Sequence, residues 1–73
     1  MEDIQLAICK SLLNYEKASA LELMRSNAEF LDLPGYKFSE IINKSISEGY
    51  INRIEDVNKS YYSATEKCRN LFK

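Results

Sequence analysis

Apolar residues recur at three- and four-residue spacing near the start of the chain. Ile4, Ile8, Leu12 and Tyr15, with Ala7 beside them, form one stripe and predict a helix over residues 2–15. Leu6, Cys9 and Leu13 fall on roughly the opposite side, so this helix is apolar on two faces. A chain of 73 residues has little material to cover both. Either the C-terminal segment folds over the second face or a second copy does.

Ser19 and Glu22 have the S-x-x-E spacing of a capping box and predict a second helix, with Ala20, Leu21, Leu23, Met24 and Ala28 turned inward. The pattern does not define where that helix ends between residues 26 and 33. Phe30, Leu31 and Leu33 are expected anchors in either case. Pro34-Gly35 predicts a type II turn in which Gly35 takes a positive φ. Residues 36–48 carry the clearest helical period: Phe38, Ile41, Ile42 and Ile46 form a stripe, and Lys37, Ser39, Glu40, Asn43, Lys44 and Ser47 face away. Glu40, Lys44 and Glu48 stand at four-residue spacings suited to pairing on the surface. Gly49 is placed to end the helix in the left-handed conformation. Two β-prone runs, "YINRIED" and "SYYSA", are separated by "VNK" or a slightly longer turn, to which Asn58 is suited, and predict a hairpin over residues 51–64. Thr65 can then cap a last helix whose apolar side is Cys68, Leu71 and Phe72. The expected fold is a single domain over 1–73, mainly α with a small β-hairpin, in the order α-α-α-β-β-α.

Composition narrows the chemistry. No apolar run approaches the roughly 20 residues of a membrane helix. The start of the chain is acidic and lacks the features of a signal peptide, so a cytoplasmic protein is expected. Cys9 and Cys68, with no histidine anywhere, cannot supply the four N or S ligands of a zinc site. Both sit among apolar residues and read as small core side chains. Without histidine, and with glycine only at 35 and 49, neither a proton-transfer site nor a glycine-rich phosphate loop is present. No enzymatic activity, cofactor, metal or small-molecule ligand is expected.

The net charge is −1, but it is unevenly spread. Residues 1–35 carry three Lys or Arg against six Asp or Glu, a balance of −3; residues 36–73 carry seven against five, a balance of +2.

The stretch "FSEIINKSISEGYINRI" resembles the recognition helix and first wing strand of winged helix-turn-helix proteins, which typically end in L-x-x-x-G-L/Y-I-x-R. "KSYYSATEKCRNLF" resembles the second wing strand and the helix after it, typically Y-Y-x-L-T-x-x-G-x-x-L. The match covers residues 38–72, residues 1–37 agree only in element order, and small bacterial and phage-encoded members look most similar. Ala64 and Cys68 replace the family's leucine and glycine, which implies a less filled wing base and a different neighbour for the last helix.

The resemblance implies double-stranded DNA as partner, read by helix 36–48 in the major groove with the wing on the backbone. Carried over by position, the contacts are Lys37, Ser39, Asn43, Lys44 and Ser47 on the helix and Arg53, Asn58 and Lys59 on the wing. Asn43 suits adenine, the four cations suit phosphates, and Glu40 is compatible with reading cytosine. Against this, Lys44 between two glutamates fits an ordinary solvated face, and Glu55 and Asp56 near the wing tip oppose phosphate. Over residues 37–59 four positive charges meet four negative ones. A DNA-binding transcriptional regulator, with a homodimer among its expected forms, is therefore weighed against a winged-helix protein-interaction module or phage accessory protein that does not bind DNA. In either reading Leu6, Cys9, Leu13, Leu71 and Phe72 are the expected dimer or partner interface.

Overall fold

A computed structural model of the chain describes residues 2–73. Its elements are α1 (Asp3–Leu12), α2 (Ala20–Arg25), α3 (Ala28–Leu31), α4 (Gly35–Ser47), β1 (Ile51–Asp56), β2 (Lys59–Ala64) and α5 (Glu66–Asn70). This is the expected order with one added single-turn helix, α3. The addition falls where the apolar pattern loses its period. The Ser26 hydroxyl donates to the Leu23 carbonyl, and the Asn27 side chain accepts from the Glu29 amide. Such short polar side chains offer the backbone local partners, so α2 stops and a new turn starts.

The core collects one stripe from each element. Ile8 and Leu12 of α1, Leu23 of α2, Phe30 of α3, Phe38, Ile41 and Ile42 of α4, and Ile51 of β1 are buried together with Ala18. The rings of Phe30 and Phe38 lie 5.5 Å apart and tilted, an arrangement their quadrupoles favour. Several expected inward residues are not inward. Leu21 is 56% exposed and Leu31 59% exposed, and Ala20 and Ala28 also face solvent. A six-residue α2 and a four-residue α3 are too short to turn more than one or two side chains toward the core.

The helix caps follow the sequence closely. Ser19 and Glu22 form the reciprocal capping box, and the Thr65 hydroxyl accepts from the Cys68 amide. Gly49 closes α4 at φ +85. Gly35 differs from expectation: it is the first residue of α4 and is not left-handed. Pro34, which has no N–H to satisfy, occupies the cap, and its carbonyl accepts from the Lys37 and Phe38 amides.

The strands pair antiparallel from Ile51 opposite Ala64 to Asp56 opposite Lys59, leaving a two-residue turn at Val57-Asn58. Both turn residues have positive φ, 40 and 66, as a type I′ turn requires. For the β-branched Val57 that conformation is strained. Tyr62 exchanges backbone hydrogen bonds of 2.9 and 2.7 Å with Ala18, so the segment before α2 adds a short third rung to the sheet. Tyr62 packs on the core, while Tyr61 on the other face sits 4.7 Å from the Lys17 ammonium.

The two glycines should respond oppositely to alanine. A Cβ at Gly35 meets nothing within 4 Å, whereas Gly49 is held at φ +85. Gly35→Ala is expected to raise the unfolding free energy by about 0.5–1 kcal/mol. Gly49→Ala is expected to lower it by about 1 kcal/mol. Urea melts of the two variants check the order.

Candidate nucleic-acid interface

Because Phe38, Ile41 and Ile42 turn α4 inward, its opposite side is set by the 3.6-residue period. Residues 36, 40, 43 and 47 form the outermost ridge, all exposed: Tyr36, Glu40, Asn43 and Ser47. Lys37 and Lys44 flank the ridge on the side of α1. Ser39 flanks it on the side of the hairpin, where it lines a groove of about 220 Å³ with Phe38, Asn43, Arg53 and Tyr62. Arg53 reaches this groove because it pairs with Tyr62 in the register and therefore shares the hairpin face turned toward α4. Six of the expected contact residues thus border one surface. Asn58 and Lys59 stand at and beside the hairpin tip.

The expected cations are mostly occupied by carboxylates. Lys37 pairs with Glu40 at 4.0 Å, Lys44 with Glu2 at 3.9 Å, and Arg53 with Glu55 at 2.8 Å. Ser60 joins the last pair, accepting from Arg53 and donating to Glu55. Asp56 is held by Lys17 at 3.7 Å. The acids near the hairpin tip are therefore each matched by a base. The expected ladder through Glu40, Lys44 and Glu48 does not form: Lys44 turns to Glu2 on α1, and the Glu48 carboxylate accepts from the Gln5 amide.

Gln5 is a residue the apolar pattern hid. It is 1% exposed, in line with Ile8 and Leu12, and its one strong partner is Glu48. Its four-residue spacing to Cys9, another buried side chain, is the signal that places it inside. Glu48 is also gripped from the other side, where Lys67 donates to its carbonyl at 2.8 Å. Tyr36 was likewise absent from the expected contacts, although it lies four residues before Glu40 and seven before Asn43.

The expected partner face divides. Leu6, Leu13, Leu71 and Phe72 are each between 36% and 41% exposed. Cys9 is sealed beneath α5, where the Cys68 thiol donates to its carbonyl at 3.4 Å. The different neighbour expected for the last helix is thus Cys9. Burial, and then its hydrogen bond to Cys68, pushes the Cys9 thiol from 9.0 up to about 12. Burial likewise raises Cys68, partly offset by the bond to Cys9 and by Arg69. Among the described residues no cluster of His, Cys, Asp or Glu is able to hold a metal ion, and no helix is long and apolar enough to cross a membrane.

A long helix laid beside a two-stranded hairpin, on a small helical core closed by a final helix, is a winged-helix fold. The chain superposes on the reduced form of MarR from E. coli with a TM-score of 0.78 over 96% of its own length. The two are 14% identical, and the chain spans about half, 51%, of that protein. The likeness is one of fold. No family model and no curated protein matches the chain by sequence.

The thiols give a direct check on the packing of α5 over α1. Both are expected to resist a water-soluble disulfide reagent at pH 8 in the native protein and to react fully in denaturant. Cys9 is held protonated in the folded state while its unfolded form ionises near 9, so its contribution to stability is present below pH 9 and is lost as pH rises toward 12. Thermal melts across that range should show the fall, and Cys9→Ala should reduce it.

Proposed function

We propose that the chain is a small DNA-binding transcriptional regulator of the cytoplasm that reads double-stranded DNA with helix 36–48 and the hairpin 51–64. The observation that carries this reading is the layout of α4: an uncharged-to-acidic ridge in the middle, with Lys37 and Lys44 along one flank and Arg53 across the groove on the other. That is the layout a major-groove helix requires, since base edges lie at the floor and phosphates along both walls. Lys37, Lys44, Arg53 and Lys59 serve as phosphate contacts. Ser39, Asn43 and Ser47 face the groove floor, and Asn58 at the turn approaches the backbone.

The ion pairs do not forbid this. In all four the side chains are about half exposed, from 45% to 66%. Pairs this exposed contribute only about 0–1 kcal/mol each, so a phosphate can displace the carboxylate. The balance of charge still makes one copy a weak binder. A second copy docked on the Leu6, Leu13, Leu71 and Phe72 face would double the contacts and present two ridges to two half-sites.

Titration of a mixed-sequence duplex at two salt concentrations tests the reading. Binding should weaken steeply with salt, and Lys44→Ala with Arg53→Ala should flatten the slope of log K against log salt by about 2. An unchanged slope removes the helix-and-wing mode.

The exposed leucines and the paired cations favour a second reading, a protein-interaction module, which predicts no DNA binding at low salt. The mass in solution bears on the shared face. Leu6→Asp with Leu13→Asp is expected to halve the mass of a dimer and weaken binding to a two-half-site duplex at least ten-fold. Unchanged mass and affinity would exclude this face as the dimer contact.

A further inference from the structure

We infer that Glu40 and Asn43 are the specificity-determining pair, selecting a cytosine and an adenine on neighbouring base pairs. This rests on the DNA-binding reading above and adds to it the sequence that is preferred. Glu40 and Asn43 lie three residues apart on the outermost ridge of α4, both exposed, with Tyr36 one turn before and Ser47 one turn after. Three residues of helix advance about 4.5 Å. One base-pair step is about 3.4 Å. The two side chains therefore address adjacent base pairs rather than the same one.

Their chemistry is complementary to different bases. A carboxylate only accepts, and in the major groove it suits the cytosine N4 amino group, whereas guanine's O6 and N7 and thymine's O4 would repel it. A carboxamide both donates and accepts, matching adenine N6 and N7. The neighbouring groups leave both free to act. Among the described residues Glu40 is held by Lys37 alone, at 4.0 Å, with both side chains at least half exposed. When Lys37 turns to a phosphate, the Glu40 carboxylate is left pointing at the floor of the groove. Asn43 lies at the mouth of the groove between α4 and the hairpin, beside Arg53, so the hairpin's phosphate contact fixes its depth.

The acid on the ridge also works by exclusion. Glu40 meets phosphate unfavourably on non-specific DNA, so it lowers background binding while retaining sites that offer a donor. A near-neutral face is then a device for discrimination rather than a defect.

Selection from a random duplex library with the wild-type protein, Asn43→Ala and Glu40→Gln tests the inference. Wild type should enrich a half-site with a C·G pair directly beside an A·T pair. Asn43→Ala should erase the adenine preference and leave the cytosine. Glu40→Gln should exchange cytosine for adenine at its own position, an about ten-fold reversal in relative affinity, because glutamine reads adenine. If Glu40→Gln and wild type enrich the same motif, the inference is overturned while DNA binding stands. If wild type retains duplexes in a salt-dependent manner without enriching any, base reading by the pair is likewise overturned and the broader reading survives. If it retains none at low salt, both fail. Circular dichroism of the two exposed-site variants confirms that each is folded.

Discussion

The rotation of α4 about its own axis is the constraint on which the rest of the molecule depends. Phe38, Ile41 and Ile42 occupy one side of it and are buried with Ile8, Leu12, Phe30 and Ile51. Each such side chain contributes about 1.5–3 kcal/mol when removed from water. In a chain this short no other element supplies three of them. A shift of one residue would rotate the helix by about 100°, bringing Asn43 or Ser39 inward and putting an isoleucine into solvent. The cost of burying an unpartnered polar group is of order 1–3 kcal/mol on top of the lost burial. The outward ridge and its flanks are therefore consequences of the core, not independent features.

Electrostatics act on this frame at a smaller scale. Every carboxylate near the hairpin tip has a basic partner, and Lys37, Lys44 and Arg53 along the α4 surface each have an acidic one. These pairs are loose and exposed, so they tune the surface rather than hold the fold together. Glu48 is different. Its carboxylate takes the buried Gln5 amide and its carbonyl takes Lys67, joining the end of α4 to α1 and α5 at once. A hydrogen bond to a charged group contributes about 1.5–3 kcal/mol, more than the surface pairs.

What was legible in the sequence was what local rules decide. The capping box at Ser19, the cap at Thr65, the left-handed Gly49, the stripe of α4 and the existence of the hairpin all rest on neighbours within a few positions, and all are present. The register was not among them, because Lys59, expected in the turn, pairs with Asp56 and leaves only Val57-Asn58 to make it. The misses share a different cause. Pro34-Gly35 looked like a turn because those residues favour one, but the same Pro also starts helices well, and the core demand on Phe38 decided for the helix. Leu21 and Leu31 looked inward because they are apolar, yet two very short helices have few inward positions to offer. Lys44 was expected to pair along its own helix. It pairs instead with Glu2, forty-two positions away, through the packing of α1 on α4. The surface ridge was mostly legible: period alone places Glu40, Asn43 and Ser47, and it places Tyr36 equally well, since the expected helix already began at residue 36.

The Glu48 junction links the two faces of the molecule. Leu6, Leu13 and Leu71 of the expected partner face lie on or just beyond α1 and α5, the same two helices whose Gln5 and Lys67 grip the end of α4. Cys9 and Cys68 pack those helices against each other with no solvent between them. A partner docked on the leucines would therefore press on elements that hold the ridge by hydrogen bonds rather than through a flexible linker. Gln5 is the element of this junction that apolar burial alone would not select, since a leucine would fill the same space. Its presence there is explained if the end of α4 must keep one orientation relative to α1, because an amide–carboxylate bond is directional where a leucine contact is not.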